Sequence, residues 1–355
     1  MKLQDLKLPF YVERTLGILM YGSMICALPF TSSFALLVEL LKAILSWWRI
    51  NARTEEKVVI ISGCDSGFGY LTVEKLVKSG FTVFAGCHTQ NGLDFWSQQA
   101  AEIREAKLIP FQLDITNESS VKNAVNLVKS YGDCQKKGIW ALINNAGIKQ
   151  SIPDEWMTVD DYALMMNVNF FGNVRMTHAF KPLVKLGKGR IIFTSTMLAH
   201  VVGPEINPYA CSKSSLATYA LNLRLEMMDS GVKVILVSPG LHHPADKGTG
   251  ELMICMEERW KQLPESLKLA YPSKFYSKHF GYKRRMLYLA QMGSNMDYVA
   301  DKLVSATNAR FPRFNYWVGL DSIFALCLSF CPEYANYLTW KLIRIFVGDY
   351  IGRWP

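Results

Sequence analysis

The eight cysteines are scattered, and no C-x-x-C pair occurs among them. That pattern argues against a zinc module and against a disulfide framework, and leaves reduced thiols facing the cytosol as the default. Long Lys/Arg tracts, zinc-ligand spacings and RNP-type aromatic motifs are also missing, which disfavours nucleic acid as a partner. Charge is scarce: 19% of the 355 residues are Asp, Glu, Lys or Arg, against 50% hydrophobic. A chain this apolar is not disordered, and it is slightly greasy for a soluble enzyme. The charge that exists is lopsided, with a formal net of +9 and a pI near 9.0. An excess of that sign suits anionic lipid or a phosphorylated cofactor. The length accommodates one large α/β domain or two small ones.

The longest charge-free stretch is near the N-terminus, "TLGILMYGSMICALPFTSSFALLV", from Thr15 to Val38. It exceeds the roughly 20 residues needed to cross the hydrocarbon core. A cleaved signal peptide is the competing reading, but the run is longer than a typical h-region, Pro29 interrupts it, and no small-x-small site follows. We expect residues 1–50 to form an uncleaved membrane anchor and linker, spanning or re-entrant at Pro29. Flanking charges are nearly balanced, so the positive-inside rule gives no orientation.

Downstream, "KVVII" (57–61) is a β-branched run that leads directly into "SGCDSGFG", after which Leu71, Val73, Leu76 and Val77 fall at helical core spacing. Strand, glycine turn and helix in that order give a glycine motif its meaning. Gly63 permits the tight turn, Gly67 lets a pyrophosphate approach the backbone, and Gly69 lets helix and strand pack closely. The helix N-terminus then offers N–H groups and a positive dipole end to phosphate. Further strands are expected at 81–87, 108–114, 139–147, 189–196 and 232–240, with helices between them, one of them over 118–131. Thr158 opens another, with Asp161 three residues on in a capping-box pattern. The alternation predicts an α/β fold, a doubly wound parallel Rossmann sheet of about seven strands over 51–320. Ligands bind such sheets at the carboxyl ends of the strands. The glycine turn, "NNAG", Ser195–Thr196 and "SPG" all fall there.

Within "NPYACSK", Tyr209 and Lys213 stand one helical turn apart and share a face. Alone, a Y-x-x-x-K match is better read as a packed aromatic beside a lysine. Here it coincides with the strand-end motifs. The pair His242–His243 has no carboxylate or cysteine spaced to complete a metal site and reads as loop surface; no metal is expected. Lys283, Arg284 and Arg285 read as a solvated face, with anionic headgroups a lesser alternative. Ile323–Phe330, with Trp340, Leu342, Ile343, Ile345 and Phe346, is too short and interrupted to span. Residues 321–355 are therefore expected as an amphipathic helical extension, lying on a membrane or lining a lipophilic entrance.

Taken together, the motifs resemble the short-chain dehydrogenase/reductase family over about residues 55–320. Gly63-x-x-x-Gly67-x-Gly69, Asn144-Asn145-Ala146-Gly147, Asn169 in "NVNFFG", and Tyr209-x-x-x-Lys213 carry the likeness. "SGCDSGFG", "FTVFAGC", "WALINNAGI" and "RFNYWVGLDSIFALCLSFCP" are similar to the membrane-associated branch that contains retinol, 17β- and 11β-hydroxysteroid and 3-hydroxybutyrate dehydrogenases. The resemblance implies a catalytic group of Tyr209, Lys213, Asn169 and a hydroxyl. The family commonly places a serine thirteen residues before the tyrosine; that position is Thr196, and Ser195 is its neighbour, so either can fill the role. It implies a cofactor site of Gly63, Asp65, Ser66, Gly67, Phe68, Gly69, Cys87, Asp114, Asn145, Ala146, Gly147, Pro239 and Gly240, shared with Tyr209 and Lys213. The family's threonine beyond "SPG" is replaced by "LHHPAD".

The implied activity is hydride transfer between a nicotinamide dinucleotide and an alcohol or carbonyl, with Tyr209 as acid/base and Lys213 lowering its pKa. Cys87 occupies the slot where NAD users often carry an acid, and no arginine stands ready for a 2′-phosphate. NAD is therefore expected ahead of NADP. Residues 244–292 fall where the family varies its substrate lid. The expected substrate is lipophilic, a steroid or retinoid, with membrane lipid as a partner. The assembly is compatible with a homodimer, and the location expected is the endoplasmic reticulum membrane, ahead of a mitochondrial one. The alternatives are a small hydroxy acid such as 3-hydroxybutyrate, or a catalytically silent cofactor-binding membrane protein.

Overall fold

A computed structural model describes residues 56–102, 107–240, 242, 247–271, 275–279, 281, 295–330, 337–339 and 341. The expected anchor at 1–50, Lys283–Arg285 and most of the extension beyond Phe330 lie outside these residues. The chain divides into two units, Met1–Asn51 with Ala309–Arg313, and Ala52–Asn308 with Phe314–Pro355. Every element named below belongs to the second.

Seven parallel strands build one sheet: β1 (Val58–Ser62), β2 (Thr82–Cys87), β3 (Leu108–Gln112), β4 (Ala141–Asn144), β5 (Arg190–Thr194), β6 (Lys233–Pro239) and β7 (Asn315–Val318). Their spatial order is β3-β2-β1-β4-β5-β6-β7. Side chains of a strand alternate between faces, and β1 shows why both faces are covered. Val58 and Ile60 enter one core cluster, Val59 and Ile61 the other. Against the first face pack α3 (Glu118–Ser130), α5 (Asn173–Leu186) and α6 (Asn207–Glu226), through side chains such as Val125, Phe180 and Leu216. Against the second pack α1 (Gly67–Lys78), α2 (Gln90–Glu102) and α9 (Met296–Asn308), through Leu76, Trp96 and Leu303. Strands buried on both faces are near-continuous apolar runs, as "VVII" is.

The helix α4 (Val159–Met166) starts where the sequence places it. Thr158 and Asp161 form the reciprocal capping box, Thr158 Oγ1 accepting from Asp161 N at 3.3 Å and Thr158 N donating to Asp161 Oδ2 at 2.7 Å. It runs through a π-helical stretch, Asn167–Gly172, into α5. Beyond β6 come α7 (Lys247–Gln262) and α8 (Glu265–Ala270), and after β7 comes α10 (Leu320–Ser329). The segment expected as a lid has a small core of its own. Met256, Tyr271 and Phe275 pack with Ile152 and Trp156 of the loop before α4, and Arg259 pairs with the capping-box Asp161.

Strand order reverses between β1 and β4. That is the switch point at which an open α/β sheet leaves a crevice for a ligand, and the site is built there.

Candidate active site

The glycine turn after β1 works through backbone that only glycine supplies. Gly63 has φ +72°, and a Cβ on it would meet Ala146 Cα at 2.8 Å; one on Gly69 would lie 2.0 Å from Gly63 O. These two hold β1, β4 and α1 together. Gly67 differs: φ is +60°, yet no atom lies within 4 Å of where its Cβ would be. Its glycine leaves an open cradle at the N-terminus of α1, and the N-cap Ser66 is exposed with no side-chain cap bond. Free helix N–H groups beside a cradle of this kind fit a phosphate.

Other residues of the expected cofactor set are committed to the protein itself. Asn145 donates through Nδ2 to Ser62 O at 3.1 Å and Gly63 O at 3.2 Å, and accepts through Oδ1 from Thr194 Oγ1 at 3.1 Å. Its side chain staples the ends of β1, β4 and β5. Ala146 N donates to Ser62 Oγ at 3.1 Å. Asp65 accepts from His88 N at 2.9 Å and from Thr89 N and Oγ1 at 2.7 Å each, tying the glycine turn to the end of β2. Cys87, expected to face the cofactor ribose, is wholly buried in the core behind the strand, and burial pushes its thiol up to about 12. The carboxylate at the end of β2 is therefore Asp65, delivered from the neighbouring turn. Asp114 accepts from Thr116 N at 2.8 Å and Thr116 Oγ1 at 2.7 Å, all through Oδ1. Burial works to raise that carboxyl, but the Thr116 bonds prevail and lower it.

The expected catalytic residues come together. An open cleft of about 270 Å³ is lined by Gly67, Phe68, Gly147, Ser195, Thr196, Tyr209, Pro239 and Gly240, with Lys149, Leu198, His242 and Met296. Tyr209 and Lys213 stand on the first turns of α6. Burial pushes the Tyr209 phenol up to about 12, and a hydrogen bond with the Thr196 side chain acts in the opposite sense. Thr196 Oγ1 also faces Pro239 O at 3.5 Å and caps Leu198 N at 3.3 Å. Ser195 Oγ is buried and makes no hydrogen bond. Both candidate hydroxyls line the cleft with Tyr209, and Thr196 is the one whose side chain works to lower the phenol.

Lys213 does not press on the phenol. Its Nζ lies 6.0 Å from the Tyr209 ring centre and donates to Thr194 O at 2.8 Å. Burial alone brings the ammonium down to about 8. Sharing a helix face set the two side chains in one direction, and the β5 carbonyl then drew the lysine inward. Burial raises the phenol, and the Lys149 and Lys213 ammoniums stand 5.8 and 6.0 Å from its ring centre. The fully buried Asn169 sits in the π-helical stretch, where a widened turn is a frequent mark of a functional position. Its Oδ1 accepts from Ile148 N at 2.8 Å, and its Nδ2 donates to Ile148 O at 2.9 Å and Ser212 Oγ at 3.0 Å. Ser212 Oγ in turn donates to Tyr209 O at 2.7 Å. Gly147 makes room for this group, since a Cβ there would stand 3.0 Å from Asn169 Oδ1 and 3.3 Å from Lys213 Nζ.

Sequence reading missed Lys149, Ser212 and His242. Lys149 follows "NNAG" and places its Nζ 5.8 Å from the Tyr209 ring centre. His242, expected on loop surface, lines the cleft instead. It follows β6, and its ring packs edge-on against Phe68 of the glycine turn at 5.9 Å. Among the described residues no group of His, Cys, Asp and Glu could hold a metal ion.

The family model for short chain dehydrogenases matches residues 57–247. A 3β-hydroxysteroid dehydrogenase of Caenorhabditis elegans is 34% identical over 273 residues, covering 76% of this chain and 70% of the relative. Human 17-beta-hydroxysteroid dehydrogenase type 6 is 30% identical over 302 residues, covering 83% and 92%. The mitochondrial D-beta-hydroxybutyrate dehydrogenase of Rattus norvegicus is 34% identical over 222 residues, covering 62% and 65%. A solved short-chain dehydrogenase from Streptomyces avermitilis has the same fold, with a TM-score of 0.63 at 21% identity over 82% of this chain and 98% of its own. Another from Burkholderia phymatum, solved in complex with NAD, gives 0.60 at 20% identity over 78% and 92%.

Proposed function

The chain belongs to the short-chain dehydrogenase/reductase family and is an NAD(P)-dependent oxidoreductase of CH–OH groups, and we propose that it works, membrane-bound, on a lipophilic alcohol or ketone, a steroid ahead of a retinoid. The observation that carries this reading is that Tyr209, Thr196 and Ser195 line one cleft together with the open glycine turn.

Oxidation of a secondary alcohol removes a hydride from carbon and a proton from oxygen. A nicotinamide dinucleotide supplies the hydride partner when bound. Tyr209 takes or returns the proton, and Thr196 holds the reacting oxygen in line with it. Lys213, anchored on Thr194 O, holds the far side of the site. Asn169 and Ser212 fix the first turn of α6. Gly67, Ser66 and the N-terminus of α1 would hold the phosphates, and Asp114 the adenine. NAD is the expected dinucleotide, because the Asp65 carboxylate at the end of β2 would repel a 2′-phosphate.

Phe68, Leu198 and Met296 make the cleft greasy, and α10 carries exposed Leu320, Ile323 and Phe324. Both features, with the two steroid dehydrogenases among the relatives, support a lipophilic substrate and contact with a membrane. One observation favours a second reading: Lys149 at the cleft suits a carboxylate, and a relative is named for hydroxybutyrate. Membranes carrying the full chain, given labelled steroids, retinoids and 3-hydroxybutyrate with each dinucleotide, separate the two. Steroid turnover with NAD that falls about 10²–10⁴-fold in Tyr209→Phe is the expected result. Near-normal turnover by that variant would overturn the mechanism, and a tenfold tighter Kd for NADPH would overturn the choice of NAD.

A further inference from the structure

Three non-glycine residues among those described hold a positive φ: Glu56, Lys188 and Glu205. The first two are exposed, whereas Glu205, at φ +65° in the turn before α6, is buried. A residue with a Cβ adopts that backbone at a cost, and keeps it where its surroundings over-determine it. What faces Glu205 is His279. The two side chains are 6% and 0% exposed, and His279 Nε2 stands 3.1 Å from Glu205 Oε1. A carboxylate is rarely buried unless it is paired, and this partner comes from the far end of the lid segment. His279 also stacks on Phe275 at 5.2 Å and 8°, and lies edge-on to Trp156 at 6.2 Å. One ring therefore touches both loops that leave the cleft. The first runs from Gly147 and Lys149 to Trp156, and the second from Thr196 and Leu198 to Glu205.

We propose that Glu205 and His279 are positioning residues, a latch that seats the lid on both cleft loops and so sets substrate affinity. The proposal rests on the dehydrogenase reading of the cleft. Other polar ties hold the lid on the Trp156 side. Arg259 of α7 pairs with Asp161 of α4, while Tyr271 OH donates to Glu155 Oε2 at 2.5 Å and accepts from Trp156 Nε1 at 3.1 Å. The latch ties the lid on the Tyr209 side, because α6 opens at Asn207, two residues beyond Glu205. Parting the pair leaves the lid hinged on α4 and its approach loop, and leaves the turn that leads into Tyr209 without the contact that faces its strained residue. Neither Glu205 nor His279 lines the cleft, so their effect on the reaction passes through the lid and not through the cofactor.

Kinetics and binding on the purified full-length chain test this. Labelled steroid, retinoid and 3-hydroxybutyrate are assayed with NAD in the wild type, Glu205→Gln, Glu205→Gly, His279→Ala and the Glu205→Gly/His279→Ala double variant. NADH affinity is measured by calorimetry, and each melting temperature is recorded. Glycine accepts φ +65° without strain, so Glu205→Gly removes the pair while sparing the fold. The expected result is a KM for the preferred substrate about tenfold higher in Glu205→Gly and His279→Ala, with kcat within about threefold and NADH affinity unchanged. The double variant should be no worse than either single change, as for two halves of one contact, and Glu205→Gln should stay near wild type. Unchanged KM in Glu205→Gly overturns the proposal. So does NADH affinity that falls in step with the rise in KM, which would make the pair part of the scaffold. A wild-type chain that binds no NADH, or turns over none of the three substrates, would instead bring down the dehydrogenase reading itself, and this inference with it.

Discussion

At the scale of single residues, the division of labour between Ser195 and Thr196 can be tested. The Thr196 side chain works to lower the Tyr209 phenol, while Ser195 Oγ is buried without a partner. Thr196→Ala should therefore lower kcat by roughly fivefold to 150-fold, the range of one unreplaced hydrogen bond of about 1–3 kcal/mol. Thr196→Ser should retain activity, and Ser195→Ala should be mild; the reverse order would move the role to Ser195. Lys213 gives a prediction about stability. Its ammonium is held at about 8 by burial, below the 10.5 of an exposed lysine. Below pH 8 both folded and unfolded chains are protonated, and the full cost of burying the charge is present. Between about 8 and 10.5 the folded chain sheds the proton first, and that cost is relieved as pH rises. Lys213→Met should then melt no lower than wild type at pH 7, with its relative advantage shrinking by pH 10, although its turnover is lost. A Met variant that melts several degrees lower at pH 7 would show that the bond to Thr194 O outweighs desolvation. The four-residue spacing made the Tyr209–Lys213 pair legible from sequence. The lysine's reach to a β5 carbonyl, and the burial that governs both groups, were not legible, since both depend on strands distant in the chain.

At the scale of elements, the glycine turn joins two jobs that a motif cannot separate. Gly69 is a packing glycine, because any Cβ would collide with Gly63 O at 2.0 Å. Gly67 is a ligand glycine, with a left-handed backbone and open space. Gly67→Ala should cost about 1–2 kcal/mol for an L-residue at positive φ and fold, yet bind dinucleotide markedly more weakly. Gly69→Ala should lower the melting temperature far more, or fail to fold. Calorimetry and thermal melts of the two variants side by side check this, and equal destabilisation would erase the distinction. The same separation runs through "NNAG". Its asparagine was legible as a strand-end motif, but Asn145 spends its side chain on Ser62, Gly63 and Thr194 and so serves the cofactor by shaping the crevice. The capping box at Thr158 was legible because it is local. The π-helical turn around Asn169 was not, for "NVNFFG" has ordinary helical residues and the widening arises where Asn169 is pulled toward Ile148 and Ser212. His242 was the costliest miss. A histidine pair in a loop has no periodicity to read, and only the fold brings it against Phe68.

On the scale of the whole molecule, alternating strands and helices were enough to read a parallel doubly wound sheet, and the order β3-β2-β1-β4-β5-β6-β7 follows that architecture. The membrane question has a different standing, because its sequence argument rests on residues 1–50, outside those described. Among the described residues no helix is long and apolar enough to cross a membrane; the stretch whose length suits a span is the charge-free run Thr15–Val38. The exposed apolar side chains of α10 offer a second, shallower contact. Leu320 is 87% exposed and Phe324 60%, while Ser322 and Ala325 face inward. An amphipathic contact of that size binds reversibly, whereas a spanning helix resists extraction. The two contributions separate in one fractionation. Full-length protein should remain in the membrane pellet through alkaline carbonate, and the chain lacking residues 1–50 should pellet at neutral pH but be released at high pH. Replacing Leu320, Ile323 and Phe324 by serine in the shortened chain should then free it even at neutral pH, with dinucleotide affinity retained as the sign that the fold is intact. Complete release of the full-length chain by carbonate would rule out the spanning anchor and leave α10 as the lipid contact to be tested.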